Sequence, residues 1–112
     1  MSCLFCKIVS GEIPVTRIYE DDQTIAFSDI RPQAPTHILI IPKNHLASLA
    51  QASREYEGAL GHLVYTAGEI ARAQKLSHGY RLVINTGPDG GQTVDHLHVH
   101  LLGGRAMDWP PG

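Results

Sequence analysis

Hydrophobic and polar positions along the chain alternate in two rhythms. Short β-branched or apolar bursts at Arg17-Ile18-Tyr19-Glu20 and Thr24-Ile25-Ala26-Phe27-Ser28 predict two strands, and the polar run Glu20-Asp21-Asp22-Gln23 between them suits a tight turn. Arg31-Pro32-Gln33-Ala34-Pro35 cannot join a ladder, because each proline lacks an N–H; the apolar run His37-Ile38-Leu39-Ile40-Ile41 then predicts a buried strand closed by Pro42. From Ser53 to about Lys75 the rhythm changes. Leu60, Leu63, Val64, Ala67, Ile70 and Ala71 recur at steps of three and four, which predicts an amphipathic helix with Ser53 as cap and Glu55 and Glu57 in its first turn. Ser77-His78-Gly79 ends it, Tyr80 to Asn85 reads as a strand, Thr86 to Gln92 as a glycine-rich loop, and Asp95 to Leu102 as the last strand. Several strands with one long helix indicate an α+β chain rather than a doubly wound sheet.

The last strand carries the chemistry. Side chains alternate across a strand, so His96, His98 and His100 face one way while Leu97, Val99 and Leu101 face the core. Successive histidines in such a row lie roughly 6.6 to 7 Å apart, close enough to share one substrate or one metal. A single histidine on an apolar strand is commonly structural; three on one face beside a glycine-rich loop are not. A neutral imidazole has a lone pair for attack on phosphorus, provided its other nitrogen is held as a donor. A protonated neighbour could bind a phosphate oxygen while loop N–H groups cradle the others.

Bulk properties narrow the classes of partner. The 112 residues suit one domain, and 43% hydrophobic with 18% charged residues is a globular composition. A net charge of −2 without a run of Lys or Arg argues against nucleic acid and anionic membranes as partners, leaving a small molecule. No signal-peptide pattern or span-length apolar run is present, so a cytoplasmic location is expected. The two cysteines, Cys3 and Cys6, are too few and too close for a secreted disulfide framework; they fit free thiols, a redox pair or half of a zinc site.

His96-Leu97-His98-Val99-His100-Leu101-Leu102 resembles the His-φ-His-φ-His-φ-φ signature of the histidine triad (HIT) superfamily, where φ is apolar. Asp29 to His37, Gly90-Gly91-Gln92 and Trp109-Pro110-Pro111-Gly112 extend the likeness to its nucleotide-binding, or Hint, branch, over essentially the whole chain as a single domain 1–112. The resemblance implies an antiparallel sheet of about five strands with one long helix and a short N-terminal helix. It implies a hydrolase of nucleoside 5′-phosphoramidates, of the purine nucleoside phosphoramidase type, or of related adenylates. His98 would be the nucleophile, His100 would contact the phosphate, and His37 and His96 would orient the central ring. Asn85, Gly91, Gln92, Thr93 and the backbone of Val94 would line the phosphate and leaving group. Asp29 would hold the ribose hydroxyls, and Phe5, Ile8, Phe27 and Ile30 the base, although periodicity alone reads those four as ordinary core.

The same likeness implies a structural zinc on Cys3, Cys6, His45 and His96, and a homodimer whose tail brings Trp109 to the neighbour's site. Two departures from the family pattern stand out. Thr93 replaces the usual serine, and Asp95 replaces a commonly aromatic residue, adding a negative charge expected to raise the pKa of the histidines beside it. The residues leave two other classes open. One is a metal-dependent hydrolase using the histidine row as ligands; the other is a non-catalytic nucleotide-binding or adaptor protein.

Overall fold

The computed structural model describes residues 3–112. A short helix, α1 (Leu4–Ser10), is followed by strands β1 (Tyr19–Glu20), β2 (Thr24–Ser28) and β3 (Thr36–Pro42), the long helix α2 (Glu57–Ala73), and strands β4 (Tyr80–Val83) and β5 (Val99–Gly103). The strands form one antiparallel sheet in the order β1-β2-β3-β5-β4. No helix among the described residues is long and apolar enough to cross a membrane.

Both faces of the sheet are covered, which is why β2 and β3 read as nearly continuous apolar runs. One face presents Ala26, Ile38, Ile40, Val99 and Leu101 to Leu63, Ala67, Ile70 and Ala71 of α2. The other presents Ile25, Phe27, Leu39 and Ile41 to Phe5 and Ile8 of α1. The register pairs His37 with Leu102 and His100 with Leu39, so both histidines lie on the α1 face.

Several details differ from the sequence reading. Arg17 lies outside β1; its guanidinium donates to the carbonyls of Ile8 and Val9 and tethers the end of α1. The hairpin turn is set by Asp21, whose carboxylate accepts the Gln23 N–H at 2.8 Å. Ser53 does not cap α2: its side chain makes no cap bond, and two short 3₁₀ turns, Leu49–Gln51 and Arg54–Tyr56, precede the helix. Val64, placed on the apolar stripe by its spacing, is 48% exposed. The last strand begins at Val99 rather than Asp95, because the Leu97 N–H leaves the ladder and donates to the Leu46 carbonyl at 2.7 Å.

Candidate functional site

On the α1 face a cleft of about 470 Å³ opens between α1, the segment from Ile13 to Val15, β2 and the start of β5. That volume is in the range of small-ligand sites. Phe5, Ile8, Phe27 and Leu39 make its floor, Asp29 and Ile30 one rim, Thr93 and Val94 another, and His98 and His100 its polar end. Ile30 is 93% exposed, an apolar side chain held in water at the mouth of an apolar slot. The Phe5 ring meets the His98 ring edge-on at a centroid distance of 5.2 Å and fixes its tilt.

The hydrogen bonds settle which nitrogen of each ring carries the proton. A carbonyl can only accept, so the 2.7 Å contact from His98 Nδ1 to the His96 carbonyl puts the proton on Nδ1 and leaves Nε2 of His98 with a bare lone pair. The Gln33 N–H donates to His37 Nδ1 at 3.0 Å, which places the His37 proton on Nε2. That proton is donated to His100 Nδ1 at 2.9 Å, so His100 turns a Nε2–H outward. Asp29 Oδ2 lies 3.5 Å from the same His37 nitrogen, while Oδ1 accepts the Arg31 N–H at 2.8 Å. The site therefore offers a bare nitrogen on His98 next to an N–H on His100, with ring centroids 4.9 Å apart.

The electrostatics favour the neutral form of His37, His96 and His100. Burial pushes the His100 pKa down to about 4, with His98 and His37 adding to the effect and Asp29 opposing it. Burial lowers His37 as well, again opposed by Asp29. His96 is lowered by burial, helped by His45 and His98 and resisted by its bond to the Pro42 carbonyl. Two expectations are corrected here. With its pKa lowered, His100 favours the neutral ring over the cation allowed for above, and Asp95, whose side chain is exposed, is not among the charges that shift His37, His96 or His100; Asp29 is the carboxylate that raises His37 and His100.

A second constellation lies beside the cleft. Cys3 Sγ is 3.4 Å from His96 Nδ1, Cys6 Sγ is 3.6 Å from the same atom, and Cys6 Sγ is 3.3 Å from His45 Nδ1. All four ligand atoms lie within 4.8 Å of one another. A tetrahedral zinc with its usual Zn–S and Zn–N lengths has S···N edges of about 3.6 Å, close to these separations. His96 is prepared for such a role: its Nε2–H donates to the Pro42 carbonyl at 2.8 Å, which leaves the Nδ1 lone pair aimed at the sulfurs. The donor set thus fits a closed zinc site.

Of the residues singled out from sequence, the cleft gathers Phe5, Ile8, Phe27, Asp29, Ile30, Thr93, Val94, His98 and His100. His37 sits behind His100, not against the central ring, and His96 acts on that ring through its carbonyl. Gln92 does not face the cleft: its amide is consumed by backbone groups, accepting from the Gly87 N–H and donating to the Ala47 and Val94 carbonyls. Gly91 beside it, φ +80°, turns that loop, and Asn85 lies beyond the end of β4. Trp109, 81% exposed, is also outside the cleft of its own chain. Sequence reading missed Leu4, Ile13, Pro14 and Val15, which wall the slot, and the Gln33 N–H and Pro42 carbonyl, which set the tautomers. Backbone groups carry no side-chain signature, so no residue pattern could have shown the last two.

The HIT domain model matches residues 10–107. The chain is 52% identical to the adenylylsulfatase HINT1 of Arabidopsis thaliana, over 97% of this chain and 76% of that protein. It is 56% identical to a 14 kDa zinc-binding protein of Zea mays, over 97% of this chain and 87% of that one. Among solved structures, a HIT family hydrolase of Legionella pneumophila superposes with a TM-score of 0.97 at 54% identity, covering 99% of this chain and 100% of that one. With the triad on the α1 face and matches of this extent, the chain belongs to the HIT family.

Proposed function

We propose that this protein is a hydrolase of nucleoside 5′-phosphoramidates or related adenylates, acting through a nucleotidyl intermediate on His98. The observation that carries the reading is the bond from His98 Nδ1–H to the His96 carbonyl, which leaves Nε2 as a bare nucleophile at the polar end of an apolar cleft. A purine base would fill the slot of Phe5, Ile8, Phe27 and Ile30, and the Asp29 carboxylate would accept hydrogen bonds from the ribose hydroxyls.

In the first step the Nε2–P bond forms as the P–N bond breaks, and the departing nitrogen leaves as an amine after taking up a proton. The positive charge that develops on the His98 ring strengthens its Nδ1–H bond to the His96 carbonyl. The outward Nε2–H of His100 meets a phosphoryl oxygen, a donor that stays in place because His37 holds the other side of the ring. In the second step water attacks the same phosphorus, the ring departs with its electron pair, and the nucleoside monophosphate is released with a proton. The Arabidopsis relative, named for cleaving an adenylyl sulfate, supports a leaving group other than nitrogen.

The same reading assigns zinc to Cys3, Cys6, His45 and His96, supported by the spacing of these four groups and by the maize relative's name. With four protein ligands the ion would have no open position, so it would brace the fold and take no part in the chemistry. A homodimer is also proposed: β4 is an edge strand, and Tyr80, Val64 and Tyr65 leave apolar surface exposed beside it. Sedimentation of a dilute sample as a fully active monomer would remove that part.

The test is incubation with an adenosine phosphoramidate followed by intact-mass measurement. Wild type should show a transient adenylyl adduct and His98→Ala none. Chelation before mixing should leave the adduct on the wild type; its loss would favour a metal-dependent reaction on the histidine row instead.

A further inference from the structure

The face of the sheet opposite the reaction cleft carries a recess of about 160 Å³, between the start of α2, the beginning of β2 and the loop that follows β3. Leu46, Leu60, Leu63 and Leu97 make its apolar floor. The two hollows lie back to back: Leu97 lines the recess, and the next residue, His98, lines the cleft. No lining residue belongs to β4 or to the cysteine cluster, so the edge strand proposed for pairing and the proposed metal both lie elsewhere.

The lining defines the chemistry of an occupant. No charged side chain borders the recess; its polar groups are the amides of Gln23 and Asn44 and the hydroxyls of Thr24 and Tyr56. A charged ligand would give up water there without meeting an opposite charge, so the occupant is neutral. A cavity of about 150 Å³ lined by aliphatic and aromatic side chains holds one benzene ring, which sets the size. Thr24 adds a polar requirement. Strand alternation places it on the α2 face with Ala26, where it is 1% exposed. Its Oγ1 is the one buried side-chain nitrogen or oxygen among the described residues with no hydrogen-bond partner. Leaving such a group unpaired costs stability, and a ligand hydroxyl, which both donates and accepts, can pair with it in either sense.

We propose that this recess is a second binding site, for a small neutral alcohol or phenol whose hydrocarbon part packs on the four leucines and whose hydroxyl pairs with Thr24 at the inner wall. The site depends on neither the nucleotide reading nor the metal assignment above.

The experiment titrates phenol, and separately benzene, into protein with labelled leucine, isoleucine and valine methyl groups, and maps the shifts by NMR. Phenol should move the methyls of Leu46, Leu60, Leu63 and Leu97 and saturate with a Kd on the order of 1 mM, as suits so small a ligand. Thr24→Val keeps the shape and removes the hydroxyl. It should weaken phenol roughly three- to tenfold, the worth of one neutral hydrogen bond, and leave benzene unchanged. Ala59→Phe, which brings a ring into the recess from α2, should abolish binding of both.

Shifts confined to Ile8, Ile13, Leu39 and the rest of the reaction cleft would overturn the proposal, as would leucine shifts that rise linearly without saturating. Equal phenol affinity in wild type and Thr24→Val would refute the choice of a hydroxyl ligand. Undiminished binding to a folded Ala59→Phe would put the ligand elsewhere. Should that variant fail to fold, the methyl map and the Thr24→Val comparison decide the matter. Because no nucleotide or metal enters the titration, its result and that of the adenylyl-adduct assay stand apart.

Discussion

Acidification forces a proton onto His100, whose pKa burial has pushed down to about 4 from the ordinary histidine value of about 6.5. The folded protein binds that proton more weakly than the unfolded chain, so the neutral ring contributes stability above about pH 6.5. That contribution shrinks as the pH falls and is gone below about pH 4. The difference of about 2.5 pKa units at 1.36 kcal/mol each sets a ceiling near 3 kcal/mol, and solvent screening of a half-buried ring brings the expected loss nearer 2 kcal/mol. His37 shifts in the same direction and adds to the slope. The assay is urea unfolding at several pH values across this window, on wild type and on His100→Gln, which accepts the His37 N–H without titrating. The variant should lose about 2 kcal/mol less between neutrality and pH 4. Because both proteins share the cysteine cluster, acid release of a metal cancels in the comparison. Equal losses in the two proteins would refute the burial argument.

Other perturbations follow from single contacts. Asp29→Asn removes a charged acceptor, and losing such hydrogen bonds costs roughly 1.5–3 kcal/mol; adenosine monophosphate should bind roughly 10- to 100-fold more weakly by calorimetry, whereas a 2′,3′-dideoxy analogue should bind both proteins alike. Leu97, 1% exposed against the α2 core, separates His96 from His98, so Leu97→Ala should cost about 2–5 kcal/mol in urea, and a shift under 1 kcal/mol would show that the segment collapses onto the space. A Cβ at Gly90 would lie 2.4 Å from the Thr86 carbonyl oxygen and 2.8 Å from its nitrogen. Gly90→Ala should therefore displace the loop that Gln92 braces and lower both the melting temperature and kcat/KM, and an unaltered crystal structure of the loop would contradict this.

Much of the fold was legible because apolar spacing reports directly on burial. The alternation of Leu97, Val99 and Leu101 with the histidines assigned the two faces of the last segment, and the stripe of Leu63, Ala67, Ile70 and Ala71 located the buried side of α2. The same logic misplaced element ends. Ser53 has a cap-forming side chain, yet the chain takes a 3₁₀ turn there; Asp95 to His98 read as strand, yet Leu97 spends its N–H on Leu46. Propensity sees neighbours a few residues away, and these choices were made by partners farther off in sequence.

The sequence by itself determined which chemistries were available: three imidazoles on one face, a carboxylate near a ribose-sized slot, two thiols with two histidines to complete them. Tertiary structure alone decided how they are used, because an imidazole's reactive nitrogen is selected by whatever group meets its other one. Here the selecting groups are the His96 and Pro42 carbonyls and the Gln33 N–H, main-chain atoms that every sequence possesses and only a fold can aim.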